Sequence, residues 1–169
     1  MQAMFTRVQL RELVAALQGA GVRFVLLKGA ARLFRGDNSS DQSTMYDLDV
    51  LVHKSEATRA ADALLAAGYL FDKRRNSDKY WARHHHLPTL QPAGAGLSVE
   101  LHTQLAPLGM LSLRTDWEAC EKYMEVTHMD GQEALCFDSL GAAFHLVIHG
   151  AGLRRLHVGT EFRREGYNP

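Results

Sequence analysis

Tyr46-Asp47-Leu48-Asp49-Val50-Leu51-Val52-His53 is the stretch that decides how this chain is read. Side chains alternate along a strand, so Leu48, Val50 and Val52 share one face while Asp47, Asp49 and Leu51 share the other. A run this apolar belongs inside a sheet, which brings two carboxylates, spaced by two, close together on a buried strand. Carboxylates so placed repel one another unless something positive compensates them. A divalent cation such as magnesium resolves the conflict, because hard ions take carboxylate oxygens readily. The competing reading is an edge strand with a solvated acidic face. The apolar continuation through Val52 speaks against it, since a surface strand has no need of one.

Upstream, residues 22–27 form a short apolar run that suits a buried strand and ends at Lys28-Gly29; residues 30–34 begin a helix. A glycine at such a junction allows close backbone approach by a ligand, and the helix N-terminus attracts anions. Residues 6–20 read as an amphipathic helix, with Thr6 and Gln9 at capping-box spacing and Val8, Leu13, Val14 and Leu17 on its apolar face. Residues 35–44 are polar and turn-rich. Downstream, Ser55 is expected to cap a helix through Ala67, closed by Gly68, with a third strand from Tyr69. Residues 80–90 and 97–102 look like a hairpin pair around the Gly/Pro-rich turn 91–96. The second of these strands carries Glu100 in an apolar setting, with His102 on the same face. If it lies beside the Asp47 strand, three carboxylates converge, enough to hold two metal ions.

Pro107 and Gly109 mark a boundary, dividing a core at 1–106 from an extension at 107–169. The extension holds a short helix over 116–123 and a hairpin turning at Asp130-Gly131. An apolar helix follows, opened by Asp138 or Ser139 and running to about Gly150. From Gly159 onward the tail is polar. The order αβαβαββ, with an acidic pair in mid-sheet, predicts an α+β core built on a mixed sheet. Nineteen basic residues balance nineteen acidic ones, so nothing in the charge calls for a nucleic-acid partner. The local patch Lys73, Arg74 and Arg75 reads as a solvated turn. Two cysteines without paired spacing, no signal-peptide stretch and no run of transmembrane length point to a cytoplasmic protein without a membrane partner.

Leu27-Lys28-Gly29-Ala30, Asp47-Leu48-Asp49-Val50-Leu51-Val52, Ala67-Gly68-Tyr69 and Val99-Glu100-Leu101-His102, in that order and spacing, resemble the nucleotidyltransferase superfamily. The likeness is nearest to the branch labelled uncharacterised nucleotidyltransferases, with Lys-Gly where better-known members have Gly-Ser or Gly-Gly. It covers roughly residues 10–105. It implies a polymerase-β-like core and magnesium or manganese. It also implies transfer of a nucleotidyl group, AMP, from a nucleoside triphosphate, ATP, to a hydroxyl of a small molecule or protein. Asp47, Asp49 and Glu100 would be the metal-binding catalytic residues, with Glu100 also helping to deprotonate the acceptor. Lys28, Gly29 and Ala30 would meet the triphosphate. Two positions depart from the family's pattern: Ala30 stands where a serine or second glycine is usual, and Ser43-Thr44-Met45 stands where an arginine is expected. The alternative is a catalytically silent module of the same fold that binds a nucleotide or a protein.

Among nine histidines, His86 and His102 are the ones placed to touch phosphate or acceptor. On a strand His84 and His86 would share a face with His85 opposite. His145 and His149 have the i, i+4 spacing of a helical zinc pair, but no carboxylate or cysteine stands at a recognised partner spacing, so they read as packing or partner-facing residues. Tyr80 and Trp81 read as core or hairpin packing. Phe144, Leu146, Val147 and Ile148 on the last helix form an apolar face for a second copy in a homo-oligomer, or for the chain's own sheet.

Overall fold

The computed structural model describes residues 2–37, 45–72, 85–106 and 114–161. Among these, seven strands form one mixed sheet, flanked by five α-helices. The strands are β1 (Phe24–Leu26), β2 (Asp47–Val52), β3 (Tyr69–Phe71), β4 (Leu90–Pro92), β5 (Ser98–His102), β6 (Met124–Met129) and β7 (Gln132–Phe137). Their spatial order is β3-β4-β5-β2-β1-β7-β6. β2 runs antiparallel to β1 and parallel to β5. The helices are α1 (Gln2–Gly19), α2 (Lys28–Arg35), α3 (Ala57–Ala66), α4 (Trp117–Cys120) and α5 (Ser139–Glu161). This is the α+β architecture expected from the element order.

The two faces of the sheet have different fates, and alternation decides which residue goes where. Leu48, Val50, Val52, Val99 and Leu101 point into the main core, against Leu10, Leu13, Val14 and Leu17 of α1 and Ala57, Ala60, Ala61 and Leu64 of α3. Val25, Leu27 and Leu51 point the other way, to a smaller cluster with Trp117, Cys120, Phe137 and Ile148. That second face also carries Asp47, Asp49, Glu100 and His102. The hairpin of β6 and β7 joins the same sheet, because β7 lies parallel beside β1 with Leu26 opposite Cys136. Segments on either side of the expected 106/107 division therefore share one sheet.

Several local expectations are corrected. α1 starts before Thr6, so Thr6 and Gln9 lie inside the helix and form no capping box. Gln9 instead ties α1 to the sheet: its amide donates to the Leu97 carbonyl (2.7 Å) and Tyr69 hydroxyl (3.1 Å) and accepts from the Leu97 amide (2.9 Å). Val8 is exposed, and Leu10 takes the core position. Ser55 does not cap α3; it lies in a 3-10 turn, Lys54–Glu56, where His53 accepts from the Ser55 amide. Asp138 does cap α5, accepting from the Gly141 amide at 2.7 Å, and that helix runs to Glu161 rather than ending near Gly150. Tyr80, Trp81, His84 and the Lys73–Arg75 patch lie outside the described residues, as do Pro107 and Gly109.

α5 sits so close to the sheet that a Cβ on Gly141 would stand 3.1 Å from the Cβ of Phe137 in β7, and 2.8 Å from that of Tyr123 just before β6. Gly141, His145 and Ile148 follow the helical repeat on the inward side, and His145 and Ile148 are buried. Leu140, Leu146 and Val147 are exposed on the outward side. The apolar residues of this helix are thus split between its own sheet and solvent. Among the described residues, no helix is long and apolar enough to cross a membrane.

Candidate metal and nucleotide site

The parallel register of β2 and β5 sets Asp49 opposite Glu100 and Leu51 opposite His102. Their neighbours on each strand are committed to the α1/α3 core, so the three polar side chains emerge together on the opposite face. Asp49 is 2% exposed. Burial alone would raise its pKa, but the hydrogen bond and charge of His102 and the charge of Lys28 overcome that and hold the carboxyl well below the usual range. Both partners meet the same oxygen: Lys28 Nζ lies 3.0 Å and His102 Nε2 2.9 Å from Asp49 Oδ1. A carboxylate only accepts, so Nε2 is the protonated nitrogen of His102. That nitrogen also lies 3.7 Å from Glu100 Oε2, while Thr89 Oγ1 donates to Glu100 Oε1 over 3.5 Å.

One ligand atom each from Asp49, Glu100 and His102 falls within 4.8 Å of the others. Two carboxylates and an imidazole at this separation are a donor set that suits a divalent cation. Asp47 lies outside that tight group but feels it. Burial, then the charges of Asp49 and Glu100, raise its pKa, opposed by Lys28 and His102.

Lys28 owes its place to the turn between β1 and α2. The Leu27 amide donates to the Asp49 carbonyl at 3.0 Å, pinning the end of β1 beside the acidic strand. Lys28 then adopts φ 44°, a left-handed conformation that costs a non-glycine residue about 1–2 kcal/mol. No side chain caps α2, and its first-turn amides are the donors that helix geometry leaves over for an anion. Gly29 has a neighbour the sequence does not announce: a Cβ on it would meet the thioether of Met45, whose flexible side chain would have to shift. The Ala30 methyl is buried in the main core, so its amide is the part that can face a ligand.

The surrounding histidines are more numerous than sequence reasoning expected. The rings of His85 and His86 lie 5.1 and 5.4 Å from that of His102. Strand alternation therefore fails to separate them, and His85 joins the site unforeseen. Backbone bonds from Thr103 to His85 and from Leu87 to Leu101 hold this segment against the end of β5. The i, i+4 pair on α5 also comes close enough for its charge state to depend on Lys28, Asp49 and His102. Thr89, buried beside Glu100, carried no motif by which it could have been found.

His145 is held neutral. Burial, then the positive charges of Lys28, His102 and His149, with Asp49 opposing, push its pKa from 6.5 down to about 4. The unfolded chain takes up this proton near pH 6.5 and the folded chain only near 4. Stability linked to His145 is therefore complete above 6.5 and is lost as pH falls between those values. The difference corresponds to roughly 3 kcal/mol. Thermal melts at pH 7 and pH 4.5 should show a smaller drop for His145→Leu than for the native chain; equal drops would mean that other groups govern acid sensitivity.

A family model described as uncharacterised nucleotidyltransferase matches residues 1–161. The chain belongs to the uncharacterised nucleotidyltransferase family. This nucleotidyltransferase is also similar to a solved structure, that of a "putative nucleotidyltransferase" from Thermotoga maritima. The two share 13% identity with a TM-score of 0.64, over 94% of this chain and 92% of that one. At that identity the likeness is one of fold. The comparison with curated proteins finds no match. For this nucleotidyltransferase, family and fold together make transfer of a nucleotidyl group the general chemistry.

Proposed function

We propose that this protein is a cytoplasmic enzyme moving AMP from ATP to a hydroxyl of a small molecule or protein, with magnesium or manganese held by Asp47, Asp49 and Glu100. The observation that carries this reading is the parallel register that sets Asp49 beside Glu100, one strand away from the uncapped N-terminus of α2. A divalent ion bound there would lower the barrier to nucleotidyl transfer by neutralising charge at the α-phosphate and activating the acceptor oxygen. The chain's own part is positioning. Lys28 and the first-turn amides of α2, including those of Gly29 and Ala30, orient the triphosphate by charge and hydrogen bonding. Glu100, 20% exposed at its side chain and reached by Thr89, helps to deprotonate the acceptor hydroxyl. His86 and His102 line the approach on the side of β5.

A second reading, a silent module that binds nucleotide without catalysis, draws on one observation. Lys28 and His102 compensate Asp49 from within the chain. Repulsion among the carboxylates therefore does not by itself require a metal.

Calorimetric titration with magnesium and then ATP, beside an Asp47→Ala/Asp49→Ala variant, separates the possibilities. Magnesium-dependent ATP binding lost in the variant is the expected result, and it would justify a screen of hydroxyl acceptors. If the folded native chain binds neither metal nor any of the four ribonucleoside triphosphates, the enzyme reading is wrong.

A further inference from the structure

The donor set beside Asp49 is not the all-oxygen set that magnesium prefers. His102 is 5% exposed at its side chain, and its Nε2 points between two carboxylates, 2.9 Å from Asp49 Oδ1 and 3.7 Å from Glu100 Oε2. Ligands about 2.1 Å from a common ion stand about 3.0 Å apart when adjacent in an octahedron and about 4.2 Å when opposite. The 2.9 Å separation is that of an adjacent pair, and the 3.7 Å one reaches the adjacent value with a side-chain shift of less than an ångström. We propose that His102 is itself a metal ligand, so that Asp49, Glu100 and His102 form a carboxylate–imidazole centre taking a first-row transition dication in preference to Mg2+.

The chemistry favours this choice. Imidazole nitrogen adds little to the binding of Mg2+, which demands oxygen and gives up water reluctantly. It adds affinity for the first-row transition dications, least for Mn2+ and more for the later ions toward Zn2+. The strand register fixes the ring: His102 sits opposite Leu51, one residue pair beyond Asp49 and Glu100, on the same buried face. His85 and His86 pack around it at 5.1 and 5.4 Å between ring centroids, which limits how far the ring can swing from the carboxylates. Binding would replace the Nε2–H···Oδ1 hydrogen bond, with the Nε2 proton passing to solvent. Lys28, bonded to the same oxygen, has a side chain 27% exposed and so has room to withdraw.

The proposal rests on the metal-dependent reading above, and its test separates the two. Mn2+ is the probe, titrated into the full chain with and without ATP. Pulsed electron paramagnetic resonance would then look for 14N coupling from a directly bound imidazole. The expected result is 14N coupling in the native protein and Mn2+ binding at least about ten-fold tighter than Mg2+. His102→Gln should lose the coupling and bind Mn2+ about ten-fold or more weakly, a loss seen even when only a ligand's partner is removed. Should His102→Gln fail to fold, His86→Gln and His85→Gln serve instead, both retaining the signal. Mn2+ bound with oxygen and water couplings alone overturns the proposal but leaves the nucleotidyl-transfer reading standing. Binding of neither ion, with or without ATP, overturns both.

Discussion

Asp47→Asn is expected to give a protein that is more stable than the native chain and nearly inactive, while Asp49→Asn gives one that is less stable and nearly inactive. The two carboxylates stand two residues apart on β2, yet their surroundings push them in opposite directions. Asp47 is penalised by burial and by the charges of Asp49 and Glu100. A raised carboxylate pKa means that the ionised form is tolerated worse in the folded state than in the unfolded one, so removing the charge at neutral pH stabilises. Asp49 is the reverse case. Despite burial, its ionised form is held by His102 and Lys28, and replacing it with a neutral amide weakens two charge-assisted hydrogen bonds. The loss should be on the order of 2 kcal/mol. Activity should fall about a thousand-fold or more for each, equivalent to about 4 kcal/mol of transition-state stabilisation from the bound ion. Thermal melts with single-turnover assays of both variants make the check. An Asp47→Asn protein that is less stable than the native chain would mean that Asp47 has a structural partner outweighing the repulsion.

That opposition was not legible in the sequence, though the strand carrying it was. Alternation along β2 was enough to place Leu48, Val50 and Val52 on the core face and the two aspartates on the other, because a period of two leaves no other choice. The turn at Asp130-Gly131 was equally readable. Both residues take positive φ, 51° and 81°, as a two-residue hairpin loop demands, and Asp-Gly is a pair that tolerates it. What failed were features set by the register between distant segments. Nothing local says that β7 lies parallel beside β1, or that His102 reaches diagonally to Asp49. The spacing of His145 and His149 announced a shared helix face. Which side of the sheet that face would cover depended on the close approach at Gly141, a contact with Tyr123 and Phe137 that no sequence pattern encodes.

Lys28→Met should change metal binding and catalysis in opposite directions. The ammonium and the metal compete for Asp49, since Nζ already holds Oδ1 at 3.0 Å from a backbone turn strained to put it there. Methionine keeps the unbranched chain and the same strained φ while removing the charge. With that competitor gone, Mn2+ or Mg2+ should bind several-fold more tightly in the absence of nucleotide. With ATP present, the triphosphate loses the cation that would leave Asp49 to meet it. The rate of transfer should drop about 100- to 1,000-fold, the range for removing one donor aimed at developing charge. Metal affinity read by calorimetry and the transfer rate read in single turnovers give the two signs independently. If both fall together, Lys28 is holding the Asp49 carboxylate in its binding orientation and does not compete with the ion. If the rate is unchanged while metal binding tightens, the lysine belongs to the fold alone, and charge at the triphosphate must be met by the α2 amides.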